Sequence, residues 1–146
     1  MFIFATKNYN MRLFLFILPK YYFKVKIINL FTSKNGVAMS NIQICNIGEL
    51  NIAYRRKGNG EQVLLIHGIT TYSFIWDEIF SLLTPNYDVT AVDLLGCGDS
   101  AKPLDVDYSI KNQANIIAKC VEKLELQNVH LVAHDIGGGV AQILAV

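Results

Sequence analysis

The sequence predicts an α/β protein in which parallel strands are joined by helices. Three observations carry this. Continuous apolar runs of the buried-strand kind recur at 62–66, 87–94 and 129–133. Stretches with helical spacing lie between and after them. Each run ends in a glycine-bearing turn, at Gly68, at Gly96 and Gly98, and at Gly137 and Gly138. Strands alternating with helices imply parallel β-α-β units with right-handed crossovers. At 146 residues the chain holds one domain at most.

Residues 1–38 are rich in Phe, Ile, Leu, Tyr and Lys. The apolar run 13–18 is stopped by Pro19 and Lys20, well short of the ~20 residues a membrane-spanning helix needs. No small-residue cleavage site follows it directly, so it does not read as a signal peptide. Residues 1–48 contain six basic side chains and no acidic one, whereas twelve acidic and seven basic side chains follow. That break divides the chain into an extension, 1–38, of doubtful relevance, and a domain, 39–146, with Met39 read as a natural start. Over the whole chain the net charge is +1. Over the whole chain this suggests neither a nucleic-acid nor an acidic-surface partner.

Residues 42–47 and 49–56 alternate as two antiparallel strands around a turn at Asn46, Ile47 and Gly48. The buried strand 62–66 follows. Ser73 is expected to cap a helix over 74–83, with Phe74, Ile75, Ile79, Leu82 and Leu83 on its apolar side. Pro85 breaks it before the strand 87–94. A long helix is expected over 109–126, its apolar face formed by Ile110, Ala114, Ile117, Ala118, Val121 and Leu124. The strand 129–133 then turns sharply into a last helix. It is expected to pair with the strand 62–66 and to leave its other edge open.

Cys45, Cys97 and Cys120 are odd in number and widely spaced. They fit a reduced, cytoplasmic protein with packed thiols, and neither a disulfide framework nor a zinc site. No metal or cofactor motif is present. A lone Gly-x-Gly at Gly96 and Gly98, with no following Lys-Ser/Thr, is read as turn-building rather than as a phosphate cradle.

The chemistry is expected at the last turn. Ala133-His134-Asp135-Ile136-Gly137-Gly138 has the layout of a nucleophile elbow, with Asp135 at its tip. The residues two before and two after the tip must be small, because strand and helix backbones approach closely there. Ala133 and Gly137 meet that demand, and Gly138 lets the new helix start against the strand. The bland alternative is that Asp135 only caps the helix, since Asp is a favoured N-cap residue.

Three signals stand in order: His67-Gly68 after the first parallel strand, Asp93-x-x-Gly96-x-Gly98-x-Ser100 after the second, and the elbow after the third. In this ordered set, residues 42–146 resemble the α/β-hydrolase fold family, in its Asp-nucleophile branch of haloalkane and haloacetate dehalogenases and epoxide hydrolases. The resemblance implies the N-terminal part of that fold, cut after the nucleophile elbow. It implies that Asp135 attacks a small-molecule electrophile and forms an ester, later hydrolysed by a water that a histidine activates. The backbone N–H groups of Ile69 and Ile136 would form the oxyanion hole. His67 would be structural, bracing the loop after it, because this family's catalytic histidine follows the nucleophile. The catalytic acid and histidine are expected in a missing C-terminal half. The chain departs from its relatives at Ile136, where the dehalogenases carry Trp or Arg, and at Ile69, where a polar side chain is usual. Rival readings are a non-catalytic remnant, and a membrane-surface protein led by residues 1–38.

Overall fold

The computed structural model describes residues 2–6, 14–16 and 42–146. The remainder of the 1–38 segment, on which the membrane-surface reading rests, lies outside the described residues. The strands are β1 (Phe2–Thr6), β2 (Phe14–Phe16), β3 (Gln43–Ile47), β4 (Leu50–Lys57), β5 (Glu61–Ile66), β6 (Tyr87–Val92) and β7 (His130–His134). The helices are α1 (Asp77–Leu83), preceded by a 3-10 turn over Ser73–Trp76, α2 (Ile110–Lys123) and α3 (Ile136–Leu144). The strands form one mixed sheet in the order β2-β1-β7-β5-β6-β4-β3. β5 is parallel to β6 and to β7, and the other pairings are antiparallel.

The central strands read as unbroken apolar runs because both faces of the sheet are covered. On β5, Leu64 and Ile66 face one way and pack with Ile117, Val140 and Ala141 of α2 and α3. Val63 and Leu65 face the other way, against Trp76 and Phe80 of the 3-10 turn and α1. β7 splits likewise, with Leu131 and Ala133 on the first side and Val132 on the second.

The expected elements are present, with four differences. Ser73 does not cap the first helix. Its N–H is held by Asp93 Oδ1 at 2.8 Å, and the chain enters α1 through a tighter 3-10 turn. β6 stops at Val92 rather than at Leu94, because Asp93 turns to bind loop backbone. The buried face of α2 runs through Gln113, Ala114, Ile116, Ile117 and Cys120, while Ile110 stays exposed. A buried glutamine broke the apolar pattern, so the face is rotated from the expected one. The outer edge of β7 is not open, because β1 pairs with it from Phe2 opposite His134 to Thr6 opposite His130.

Ser109 caps α2, its Oγ accepting from Asn112 N–H at 3.2 Å. All three cysteines are free, with Cys45 and Cys120 buried. Burial pushes the Cys120 thiol up, with Cys45 beside it adding to the shift, so the pair packs as apolar matter. No helix among the described residues is long and apolar enough to cross a membrane.

Candidate active site

The connections from β5 and β7 leave the sheet to opposite faces, β5 toward α1 and β7 toward α3. Where neighbouring parallel strands diverge in this way, a crevice opens at their carboxyl ends. Asp135 stands there, at the tip of the turn between β7 and α3, with φ 54° and ψ −125°. This left-handed conformation costs on the order of 1–3 kcal/mol for a residue with a Cβ, and the packing around it has to hold it in place.

That packing is backbone against backbone. Ala133 is fully buried. A Cβ built on Gly137 would lie 2.4 Å from His67 O and 2.6 Å from Ile66 O, so only glycine lets α3 rest on the end of β5. Gly68 closes the same gap from the other side, since a Cβ there would lie 2.4 Å from Asp135 Cβ. Gly138 is buried, and its N–H donates to Asp135 O at 2.9 Å. The small residues expected on either side of the tip, Ala133 and Gly137, stand where the strand and helix backbones approach.

Although Asp135 occupies the N-cap position of α3, its side chain makes no capping hydrogen bond. Its Oδ2 instead accepts from the Ile69 N–H at 3.0 Å, across the crevice. The Ile69 side chain projects outward and is 60% exposed, so only its peptide group meets the carboxylate.

His67 is fully buried and linked through both ring nitrogens. Nδ1 lies 2.9 Å from Gly68 O, which fixes it as the protonated nitrogen, and Nε2 accepts from Leu94 N–H at 2.9 Å. The imidazole thus ties the loop after β5 to the loop after β6. Burial holds its pKa below the ordinary value, against a smaller opposing pull from the Gly68 carbonyl and Asp93. The unfolded chain therefore takes up this proton more readily than the folded one. Stability that is fully present above the unfolded pKa of about 6.5 is lost as pH falls below it. We expect urea midpoints to decline from pH 7.5 toward pH 5.5, and His67→Gln to flatten that decline. An unchanged slope in the variant would remove His67 as its source.

The loop after β6 is built by its own carboxylate. Asp93 Oδ1 accepts from Ser73 N–H and Oδ2 from Asp99 N–H, both at 2.8 Å. Gly98, at φ 51°, comes so close that a Cβ would overlap Asp93 Oδ2. The Asp93 carboxylate thus takes two loop N–H groups and builds the turn. Ser100 Oγ donates to Asp93 O at 2.6 Å and accepts from Ala53 N–H at 2.9 Å.

Sequence reasoning missed two buried polar supports. Gln113 on α2 pairs with both backbone groups of Leu95: Leu95 N–H donates to its Oε1 at 3.1 Å, and its Nε2 donates to Leu95 O at 2.9 Å. Arg55 on β4 donates to Ser73 O at 2.7 Å and pairs with Asp77. A polar residue at a helical core position was the available signal for the first. His130 and His134 are half-buried. His130 Nε2 lies 3.2 Å from Glu61 Oε2, at the opposite end of β7 from Asp135. Among the described residues no cluster could hold a metal ion.

The α/β hydrolase fold profile matches residues 62–146. The chain therefore belongs to the α/β hydrolase fold family. It is 39% identical over 80 residues to a haloalkane dehalogenase of Agrobacterium fabrum, covering 55% of this chain and 26% of that protein. Among solved structures it resembles a haloalkane dehalogenase loop variant from Bradyrhizobium elkanii, with TM-score 0.70, 34% identity and coverage of 74% of this chain and 36% of that one. It also resembles an epoxide hydrolase from Vigna radiata, with TM-score 0.67, 28% identity and coverage of 71% and 34%. The chain spans between a quarter and a third of the length of the curated relatives it matches.

Proposed function

We propose that this chain carries the nucleophile half of an α/β hydrolase acting on a small-molecule electrophile. One Asp135 oxygen attacks the electrophilic carbon, the bond from that carbon to its leaving group breaks as the ester forms, and when water then attacks the ester carbonyl carbon the N–H groups of Ile69 and Ile136 bind the negative charge that develops on the other Asp135 oxygen. Each such donor typically lowers the barrier by ~2.7–4 kcal/mol. The observation that carries this reading is the Asp135 carboxylate. It stands on a strained elbow, leaves its helix uncapped and sits on the Ile69 N–H at 3.0 Å. No cofactor or metal enters the reaction. Neither nucleic acid nor a membrane is a partner in this reading, and the protein would act in the cytoplasm.

Hydrolysis of the ester needs a base. His67 cannot serve, because both its nitrogens are engaged away from Asp135. The acid and the histidine would come from a C-terminal half completing the fold around residues 39–146, with residues 1–38 as an extension. Ile69 and Ile136 offer no side-chain donor to a departing halide, so the leaving group differs from that of the dehalogenases.

The ester itself is the test. Residues 39–146 would be fused to the C-terminal portion of a related Asp-nucleophile hydrolase whose histidine has been removed. General-base assistance is worth ~10²–10⁴ in rate, so the ester accumulates when the base is absent. The peptide containing Asp135 then gains the mass of the substrate carbon skeleton. An unmodified Asp135 in a folded chimera that binds substrate would overturn the proposal.

A further inference from the structure

β5 takes the inner edge of β7, and β1 takes the outer edge. β1 runs antiparallel to β7 and pairs along all of it, from Phe2 opposite His134 to Thr6 opposite His130. β2 pairs in turn with β1, from Phe2 opposite Phe16 to Phe4 opposite Phe14.

The connections around β7 fix where a strand following α3 has to lie. Crossovers between parallel strands are right-handed. Those on one face of a sheet therefore advance in one direction, and those on the other face in the opposite direction. The α1 crossover runs from β5 out to β6. The α2 crossover lies on the other face and runs back from β6, past β5, to β7. α3 packs on the same face as α2. A parallel strand reached through α3 thus advances beyond β7, onto the edge that β1 holds. The inner edge is closed to it by β5. One strand edge presents a single row of N–H and C=O groups, so two strands cannot pair with it at once.

The two occupants differ at the elbow. A strand parallel to β7 would end beside Asp135, and the loop after it would enter the crevice at the carboxyl ends of the strands. β1 runs the other way and brings its amino end, Phe2, opposite His134.

We propose that β1 and β2 are a displaceable strand pair holding the outer edge of β7, and that the strand following α3 in the completed hydrolase takes that edge once β1 leaves it. While β1 is seated, the C-terminal half cannot join the sheet, and Asp135 stays without a base. The inference rests on the proposed completion of the fold by a C-terminal half, and not on the reaction at Asp135.

The test compares the full chain with a chimera in which residues 1–146 continue into the C-terminal portion of the Agrobacterium fabrum haloalkane dehalogenase. Phe4→Pro is made in both. β1 lies between β2 and β7, and a proline in a central strand removes a ladder N–H. In the chain alone, Phe4→Pro should speed amide exchange within His130–His134 by at least ~10-fold and lower the urea midpoint. In the chimera both quantities should stay as they are. The amides of Phe2–Thr6 should also exchange at least ~10-fold faster in the unsubstituted chimera than in the chain alone. A chimera that folds only with Phe4→Pro supports the proposal as well, because β1 then blocks the incoming strand. Three results overturn it. Unchanged exchange in the chain alone would show that β1 does not hold the edge. Equal effects of Phe4→Pro in chain and chimera would show that β1 keeps its place in the completed fold. A chimera with no cooperative transition in either form would show that the cleared edge does not take the strand. Ester formation enters none of these readings. Failure here leaves the nucleophile standing, and an unreactive Asp135 leaves the strand exchange standing.

Discussion

Asp135→Asn is expected to remove ester formation altogether in the histidine-lacking chimera, with an unfolding free energy within about 1 kcal/mol of the parent. The amide is nearly the same size and keeps an oxygen for the Ile69 N–H, so the elbow is retained. What disappears is the anionic oxygen that attacks carbon. The helix-cap alternative expects the reverse, because Asn caps as well as Asp and the reaction would continue. The Asp135 side chain faces Ile69 across the crevice and makes no capping hydrogen bond to α3. Ester signal from an Asp135→Asn chimera, with deamidation back to Asp ruled out by peptide mass, would end the nucleophile reading.

Gly137→Ala is the more damaging change to the fold. Its new methyl would fall 2.4 Å from His67 O and 2.6 Å from Ile66 O. These atoms lie at the last residue of β5 and just past it, where a shift would pull on the His67 bridge to Leu94 and on the Ile69 N–H. Overpacking usually costs 1–3 kcal/mol, and with rigid backbone as the obstacle we expect about 3 kcal/mol or more. Gly139→Ala, one residue pair further along α3, is the control. Its methyl would meet the side-chain end of Ile110 at 3.1 Å, which can yield. Ala gains up to ~1 kcal/mol over Gly in a helix, so this variant should be neutral or slightly more stable. Denaturant midpoints of the two variants decide it, and equal midpoints would show that α3 does not rest on β5 as described.

The sequence made the parallel strands legible because each is buried on both faces and so reads as an unbroken apolar run. The elbow was legible because its steric demand, small residues on both sides of the tip, is written in residue type at Ala133 and Gly137. The Ile69 contact with Asp135 could be anticipated only through family likeness, because a peptide N–H leaves no mark on residue identity. The face of α2 was misjudged for a related reason. Gln113 looks polar in a one-letter pattern, yet its amide is consumed by Leu95, and a partner eighteen residues away cannot be seen from local spacing. Ser73 was misread as a helix cap because its true partner, Asp93, lies on the next strand connection. The edge of β7 was taken as open because residues 2–6 carry no turn signal linking them to a strand so distant in the chain.

At Ile69 one residue meets the carboxylate through its peptide group and the solvent through its side chain. In the proposed reaction the N–H that binds negative charge and the side chain that meets solvent are therefore separate parts of the same residue. A substitution at this position changes the exposed side chain and leaves a peptide N–H to face Asp135.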